Sequence, residues 1–284
     1  MKALVLSGGG EAGAYQVGVL QRWAEDGYEP DIICGVSVGA MSGGYLAQFP
    51  FGHFKDGVES LGKLWLKIRT QDIIRPWPLS YLQIPWESAV YDSTPHGELI
   101  DKWISPHEMR KSGRRFRAVC VEWRTKDVLV GTENDTEILQ YIKASSSFPL
   151  FMLPVDVHGR SCTDGGARDV APIKQAILAG ATDLRIISCS NPDLLDIWEP
   201  AAGIRTFISY VLRFAGIVMT EIVANDYRVC GLKNDLAVTS SKYMPLSTTV
   251  VRPRRPLETE LLEFTPEQAK RLIHCGYEDA CLVL

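Results

Sequence analysis

At 284 residues, with 46% hydrophobic and 23% charged side chains, the chain has the make-up of a folded domain with a substantial core, which excludes a disordered or fibrous polymer. Thirty basic against 34 acidic residues leave a net charge of −4, which excludes a general electrostatic pull toward nucleic acid or anionic lipid. One domain covering residues 1–284 is expected at this length.

In chain order, Ala3 to Leu6 reads as a short buried strand. After a glycine turn comes "AYQVGVLQRWAEDG", whose Tyr15, Val19, Leu20 and Trp23 fall at helical spacing, with Gly27 as C-cap. Asp31 to Cys34 is a second strand, completing a βαβ unit, and "VGAMSGGYLAQF" reads as a helix leaving the turn at Ser37. From 68 to 92 Pro76, Pro78 and Pro85 forbid long regular elements, so this stretch, rich in Trp and Tyr, is a lid or rim over a site, or a packed surface loop.

"RRFRAVCVEWRT" and "KDVLVGTE" predict a hairpin, and "DTEILQYIKASSS" a helix capped by Asp135 or Thr136. A further buried strand lies in "ILAGATDLRIISCS". The apolar helix around 204 to 224 aligns Ile204, Ile208, Val211, Ala215, Val218 and Ile222 on one stripe, which faces either the core, the commoner case, or a membrane surface. Its Arg205, Arg213 and Glu221 argue against a transmembrane span. The last helix opens with Thr265 as N-cap, Pro266 at the first helical position and Gln268 closing the cap. The order is α/β.

Seven cysteines, scattered and never spaced as C-x-x-C, fit a reduced, cytosolic protein without a structural metal. "MKALVLSGGG" is too short in its apolar part for a signal peptide. Any membrane contact must then be local and apolar or use a small patch such as "VRPRRP" at 251 to 256, for which a solvated loop is the plainer reading.

Two motifs carry chemistry. Gly8, Gly10 and Gly13 in "SGGGEAG" satisfy G-x-G-x-x-G between a strand and a helix, so a dinucleotide site is one reading. That reading wants an acidic residue at the far end of the second strand, and Glu29 and Asp31 stand at the leading end. In the other reading the amides of Gly8, Gly9 and Gly10 cradle an oxyanion. The second motif, Gly35-Val36-Ser37-Val38-Gly39, is a G-x-S-x-G elbow that lifts a serine hydroxyl off a strand end.

A serine nucleophile needs a base. Of the five histidines, His53, His96 and His107 precede any likely third-site loop, His158 sits in a tight turn, and His274 lies mid-helix. Asp164, before Gly165 and Gly166, is the alternative: its carboxylate would project from a strand end, partial burial would make it a better base, and a direct hydrogen bond to the serine would complete a two-residue site. The tripeptide D-G-G is equally at home in an ordinary turn.

A glycine triplet at the N-terminus, G-x-S-x-G soon after and D-G-G downstream together resemble the patatin-like phospholipases. "LSGGGEAGAYQVGVL", "GVSVGAM", "ASSSFPLFMLPV", "TDGG" and "CGYEDA" look like that family's blocks, in order. The resemblance implies a three-layer α/β/α fold with a mainly parallel central sheet. It implies a catalytic dyad, Ser37 as nucleophile and Asp164 as base, an oxyanion hole from Gly8, Gly9 and Gly10, and supporting glycines at 13, 35, 39, 165 and 166. It implies no metal and no cofactor, with hydrolysis of phospholipid or other acyl-lipid esters. Transient contact with a membrane surface through Trp77 and Trp86 would suit a cytoplasmic, peripheral enzyme. One departure is Ala12, preceded by Glu11, where the family carries Arg or Lys. A patatin-like module that binds lipid or a partner without turnover is the alternative.

Overall fold

The computed structural model describes residues 1–78, 87–194, 206–239, 245–259 and 263–283. Its elements in chain order are β1 (Lys2–Leu6), α1 (Gly13–Glu25), β2 (Ile32–Val36), α2 (Val38–Leu46), α3 (Phe54–Trp65), α4 (Thr94–Trp103), α5 (Pro106–Lys111), β3 (Arg115–Glu122), β4 (Val128–Thr132), α6 (Ile138–Ser145), β5 (Val155–Val157), β6 (Arg160–Asp164), α7 (Ile173–Leu178), β7 (Asp183–Ile187), α8 (Thr206–Thr239), β8 (Ser247–Val251) and α9 (Pro266–Cys281).

The alternation of side chains along the first two strands builds the layers. Leu4, Leu6 and Ile33 join a core made with α1, α2, α3, α6 and α9, while Ala3, Val5, Ile32 and Cys34 join a second core under α7 and α8. Successive residues of a strand point to opposite faces, so a sheet covered on both sides reads as a continuous apolar run. The result is the expected α/β/α sandwich. β2, β1, β7 and β8 run parallel to their neighbours, and β1 is flanked by β2 and β7. The hydrogen-bonded path is β5-β6-β3-β2-β1-β7-β8, with β4 on β3.

Antiparallel pairing at β3 has a consequence for the site. The N–H of Arg115 donates to Asp31 and that of Trp123 to Ser161, while the N–H of Glu122 donates to Asp127 on the β4 side. Along a strand every second N–H shares an edge. β2 and β6 therefore lie end to end on one edge of β3, and β4 takes the other. Val36 pairs with Val119 and Asp164 with Cys120, consecutive positions of the same strand.

Several expectations shift in detail. β2 continues through Gly35 to Val36, because those residues still pair with β3. α6 begins after Glu137, and Asp135 instead accepts the Glu137 N–H at 2.9 Å. The terminal cap is as expected, with Thr265 Oγ accepting the Gln268 N–H at 3.2 Å. α3 was not anticipated, although Phe54, Val58, Leu61 and Trp65 recur at helical spacing and are all buried.

The apolar helix is longer than expected, reaching Thr239, and its stripe is rotated. Val223 and Cys230 carry the buried face, whereas Val218, expected in the core, is 41% exposed with Phe214 and Ile217. Among the described residues Val223, Tyr227 and Cys230 form one line toward the core, so apolar content alone misassigned the face. Ile204 and the side chains of Ile208 and Val211 lie outside the described residues. Among the described residues no helix is long and apolar enough to cross a membrane. In the 68–92 stretch Arg75 and Asp92 form a β-bridge, Ile73 and Ile74 are buried, and Trp77 Nε1 donates to the Ala89 carbonyl at 3.0 Å. Residues 79–86, with Trp86, lie outside the described residues.

Candidate active site

Ser37 stands at the turn between β2 and α2 with φ 56° and ψ −131°. A serine at positive φ is strained by about 1–3 kcal/mol and persists only where its surroundings force it. Two close approaches do so here. A Cβ on Gly35 would lie 2.2 Å from the Gly39 carbonyl oxygen, and one on Gly39 would lie 2.4 Å from the Leu6 carbonyl oxygen. The Ser37 N–H donates to Ser145 Oγ at 3.0 Å, and its carbonyl accepts from Ala40 at 2.9 Å.

The glycine triplet lies against this turn: a Cβ on Gly8 would come 3.2 Å from Ser37 Cβ. Gly9 and Gly10 have φ of 155° and 55°, and a Cβ on Gly9 would strike that of Cys189 at 2.3 Å. The Gly8 N–H donates to the Val170 carbonyl at 3.0 Å. Gly8 is thus engaged, and the triplet amides without a partner among the described residues are those of Gly9 and Gly10, at the entry to α1. Gly13 packs beneath, where a Cβ would meet Val38 and Trp65.

Asp164 ends β6 and is 2% exposed. Its N–H donates to the Ser147 carbonyl at 3.0 Å, and its Oδ1 accepts from the Gly166 N–H at 2.7 Å. Oδ2 is sealed from solvent with no hydrogen bond of good geometry among the described residues. Burial pushes the carboxyl up to about 7, against the Gly166 amide and the nearby Ser37 hydroxyl, which favour the charged form. Gly165 lets the turn close, since a Cβ there would lie 2.3 Å from the Val119 carbonyl oxygen. The D-G-G segment is both a turn and the mount of a buried carboxylate.

Ser37, Gly9 and Gly10 open into one cavity of about 240 Å³. Its walls are mostly apolar: Val38 and Met41 from α2, Ile73 from the proline-rich stretch, Phe148 and Met152 after α6, Met219 from α8, and Phe264. The polar side chains are Ser37, Ser146, His96 and Glu11. Ala12 is buried, and no Lys or Arg is among the described lining residues.

Three consecutive serines, quoted above only as a block, hold the parts together. Ser145 accepts from the Ser37 amide, Ser146 Oγ is 3.0 Å from His96 Nε2, and the Ser147 carbonyl accepts from both the Asp164 N–H and the Thr163 hydroxyl. A second brace comes from α8, where Asp226 Oδ2 accepts from the Ala171 N–H at 3.0 Å, next to the Val170 carbonyl that holds Gly8. Asp226 is pushed up to about 7, mainly by burial and further by the Asp169 carboxylate, which burial itself pushes up to about 6. No local pattern marked either brace, because both are made across the fold.

The remaining candidates disperse. His274 pairs with Glu278 on the surface, His53 with Asp56, and His158 with Asp135 and Glu137. Asp31 accepts from the Lys2 N–H at 2.7 Å and Glu29 pairs with buried Arg114, so both acids of the dinucleotide reading have structural work elsewhere. Among the described residues no three or more His, Cys, Asp or Glu gather as a metal site.

The fold and the cavity define an α/β/α protein with a serine raised at a strand end beside a glycine loop. The patatin-like phospholipase family profile matches residues 4–177, and the chain belongs to that family. Patatin-like phospholipase domain-containing protein 7 of Rattus norvegicus is 27% identical over 197 residues, covering 69% of this chain and 14% of that protein. Lysophospholipase NTE1 of Kluyveromyces lactis is 27% identical over 201 residues, covering 67% of this chain and 13% of that protein. The chain thus aligns with about a seventh of these relatives' length. A solved structure, VipD from Legionella pneumophila, aligns over 99% of this chain and 66% of its own with a TM-score of 0.46 and 15% identity.

Proposed function

We propose that the protein is a serine lipid acyl hydrolase in which Ser37 and Asp164 form a two-residue machine. The observation that carries this reading is the shared edge of β3: strands β2 and β6 deliver a strained serine and a buried carboxyl to one point. Ser37 Oγ attacks the ester carbonyl carbon while its proton passes to Asp164 Oδ2. The N–H groups of Gly9 and Gly10 stabilise the oxyanion, and Gly8 fixes their loop through Val170. As the carbon–oxygen bond breaks, Asp164 returns the proton to the departing alcohol. Water then attacks the acyl carbon as the same carboxylate takes its proton, the bond to Ser37 Oγ breaks, and Asp164 hands the proton to Oγ, freeing the fatty acid and restoring both residues.

A carboxyl held up to about 7 suits both steps, because a base is most effective when its pKa is near the working pH. The apolar walls suit an acyl chain. The lysophospholipase named among the relatives brings phospholipids and lysophospholipids as candidate substrates. Metal and cofactor have no part in these steps. A binding module without turnover is the competing reading; a sealed carboxyl beside a strained serine favours the enzyme, since binding alone requires neither.

The test uses a fluorophosphonate probe and a short soluble ester. Wild type is expected to be labelled at Ser37 and to hydrolyse the ester, with both lost in Ser37→Ala and strongly reduced in Asp164→Asn. Turnover retained in Ser37→Ala would sink the mechanism, and a folded wild type that neither labels nor hydrolyses would favour the binding module.

A further inference from the structure

His96, on the first turn of α4, is 4% exposed and faces the same cavity as Ser37. The Ser146 hydroxyl has one proton, and the 2.8 Å contact with the Ile142 carbonyl takes it, because a carbonyl only accepts. His96 Nε2, 3.0 Å from Ser146 Oγ, must therefore be the N–H that donates to it. In a neutral imidazole the other nitrogen is then an acceptor. Nδ1 has no hydrogen-bond partner among the described residues. The ring lines the cavity, and Nδ1 is the ring nitrogen left to meet what enters it.

Burial, reinforced by the Lys143 cation, holds the imidazole down to about 4. The ring stays neutral at physiological pH and is a weak base, suited to accepting a hydrogen bond rather than to moving a proton. Its position is fixed relative to the nucleophile, because Ser146 follows Ser145, whose Oγ holds the Ser37 amide. A bare acceptor in a mostly apolar cavity calls for a donor, and a neutral hydroxyl loses less hydration on entering than a charged ammonium does.

Building on the hydrolase reading above, we propose that His96 Nδ1 accepts a hydrogen bond from a free hydroxyl of the substrate close to the ester that Ser37 attacks. His96 is then a specificity-determining residue for hydroxyl-bearing acyl esters. The hydroxyl has two chemical sources: the alcohol side, as in a monoacyl glycerolipid with a free neighbouring hydroxyl, or the acyl side, as in a hydroxy fatty acyl ester.

The experiment measures kcat/KM on two matched pairs, a monoacyl glycerolipid against its deoxy analogue, and a hydroxyacyl ester against its plain acyl counterpart. Wild type is expected to favour the hydroxyl in one pair by roughly 5- to 100-fold, the range for leaving a buried acceptor without its donor. The pair that responds identifies the source. The ratio should collapse toward one in His96→Leu and be partly retained in His96→Gln, which keeps an acceptor. A packing role for His96 would lower both members of a pair together and leave the ratio alone, and that result overturns the proposal, as does a wild type indifferent to both hydroxyls. Fluorophosphonate labelling of the same preparations keeps the two readings apart. If wild type neither labels nor turns over, the hydrolase reading falls, and the hydroxyl contact is judged by equilibrium binding of the monoacyl lipid and its deoxy analogue. Equal binding of both to wild type would then overturn it.

Discussion

The turn at Ser37 and the long helix α8 border the same cavity but are built in opposite ways. Around the turn, three backbone segments approach so closely that Gly35, Gly39 and Gly165 leave no room for a Cβ, and the amides of Gly8 and Ser37 are both hydrogen-bonded. α8 contributes Ala215, Gly216 and Met219 to the cavity wall while Phe214 and Ile217 on its outer side stand in solvent, and Cβ atoms added at Gly216 or Gly231 would touch nothing. The proposed chemistry sits where the backbone has no freedom. The cavity wall opposite it sits on a helix where an added Cβ has room.

Substitution at the turn gives the largest expected effect. In Gly39→Ala the added Cβ falls 2.4 Å from the Leu6 carbonyl oxygen, a contact that backbone cannot relieve without parting β1 from α2. Loss of soluble folded protein is expected, read by expression yield and circular dichroism. A Gly39→Ala protein that folds with ordinary stability would remove the contrast with α8.

Asp164→Asn separates activity from stability at the same corner. The folded pKa, about 7, lies above the ordinary carboxylate value, so the native state holds its proton more tightly than the unfolded chain. Relative to the neutral amide, Asp164 therefore costs least stability below the unfolded pKa of about 4, and the cost grows as pH rises to about 7, where it levels off. Ester hydrolysis should fall by roughly 10²- to 10⁴-fold, while thermal scans show the Asn protein gaining on wild type from about pH 4 to about pH 7 and no further above it. Wild-type kcat/KM should in turn rise with pH through about 7, as Asp164 loses its proton. A gain in melting temperature that does not depend on pH would place the cost of Asp164 in packing rather than in its charge.

Ser145→Ala strips the acceptor from the Ser37 amide at 3.0 Å. An unsatisfied buried N–H costs about 1–3 kcal/mol, read as a lower denaturant midpoint with an unchanged slope. Because the strained turn loses its brace, labelling of Ser37 should slow as well. Unchanged labelling with lowered stability would mean that Gly35 and Gly39 hold the turn without help.

What was legible in the sequence follows the same division. Strand, glycine turn and helix are local, so β1, α1, β2, Ser37 and the Thr265 cap could be read from spacing and capping chemistry. The alternation of Ala3 and Val5 against Leu4 and Leu6 was apolar throughout, which is how a strand buried on both faces reads. The braces at Ser145 and Asp226, the engaged amide of Gly8 and the cavity role of His96 were not legible, since each rests on partners far along the chain. The order of motifs tells against His96 as a base, yet its partner Ser146 comes from the end of α6. The face of α8 was misread because the helix is apolar on several sides and only tertiary contact decides which side is covered.

The smallest effect tests the other side of the comparison. Gly231 lies in the exposed interior of α8, in the half that Asn234 fastens by bonding both the N–H and the carbonyl of Leu246, at 2.7 and 3.1 Å. Glycine within a helix keeps conformational freedom in the unfolded chain that alanine lacks, and here an added Cβ meets no atom within 4 Å. Gly231→Ala should therefore stabilise by about 0.5–1 kcal/mol, a rise of roughly 2 °C in melting temperature, without changing hydrolysis of a soluble ester. The same chemical change, glycine to alanine, is thus expected to destroy the fold at Gly39 and to strengthen it at Gly231. If Gly231→Ala instead lowers activity while raising stability, the helix must bend or shift during turnover, and the freedom of α8 belongs to the catalytic cycle rather than to a passive wall.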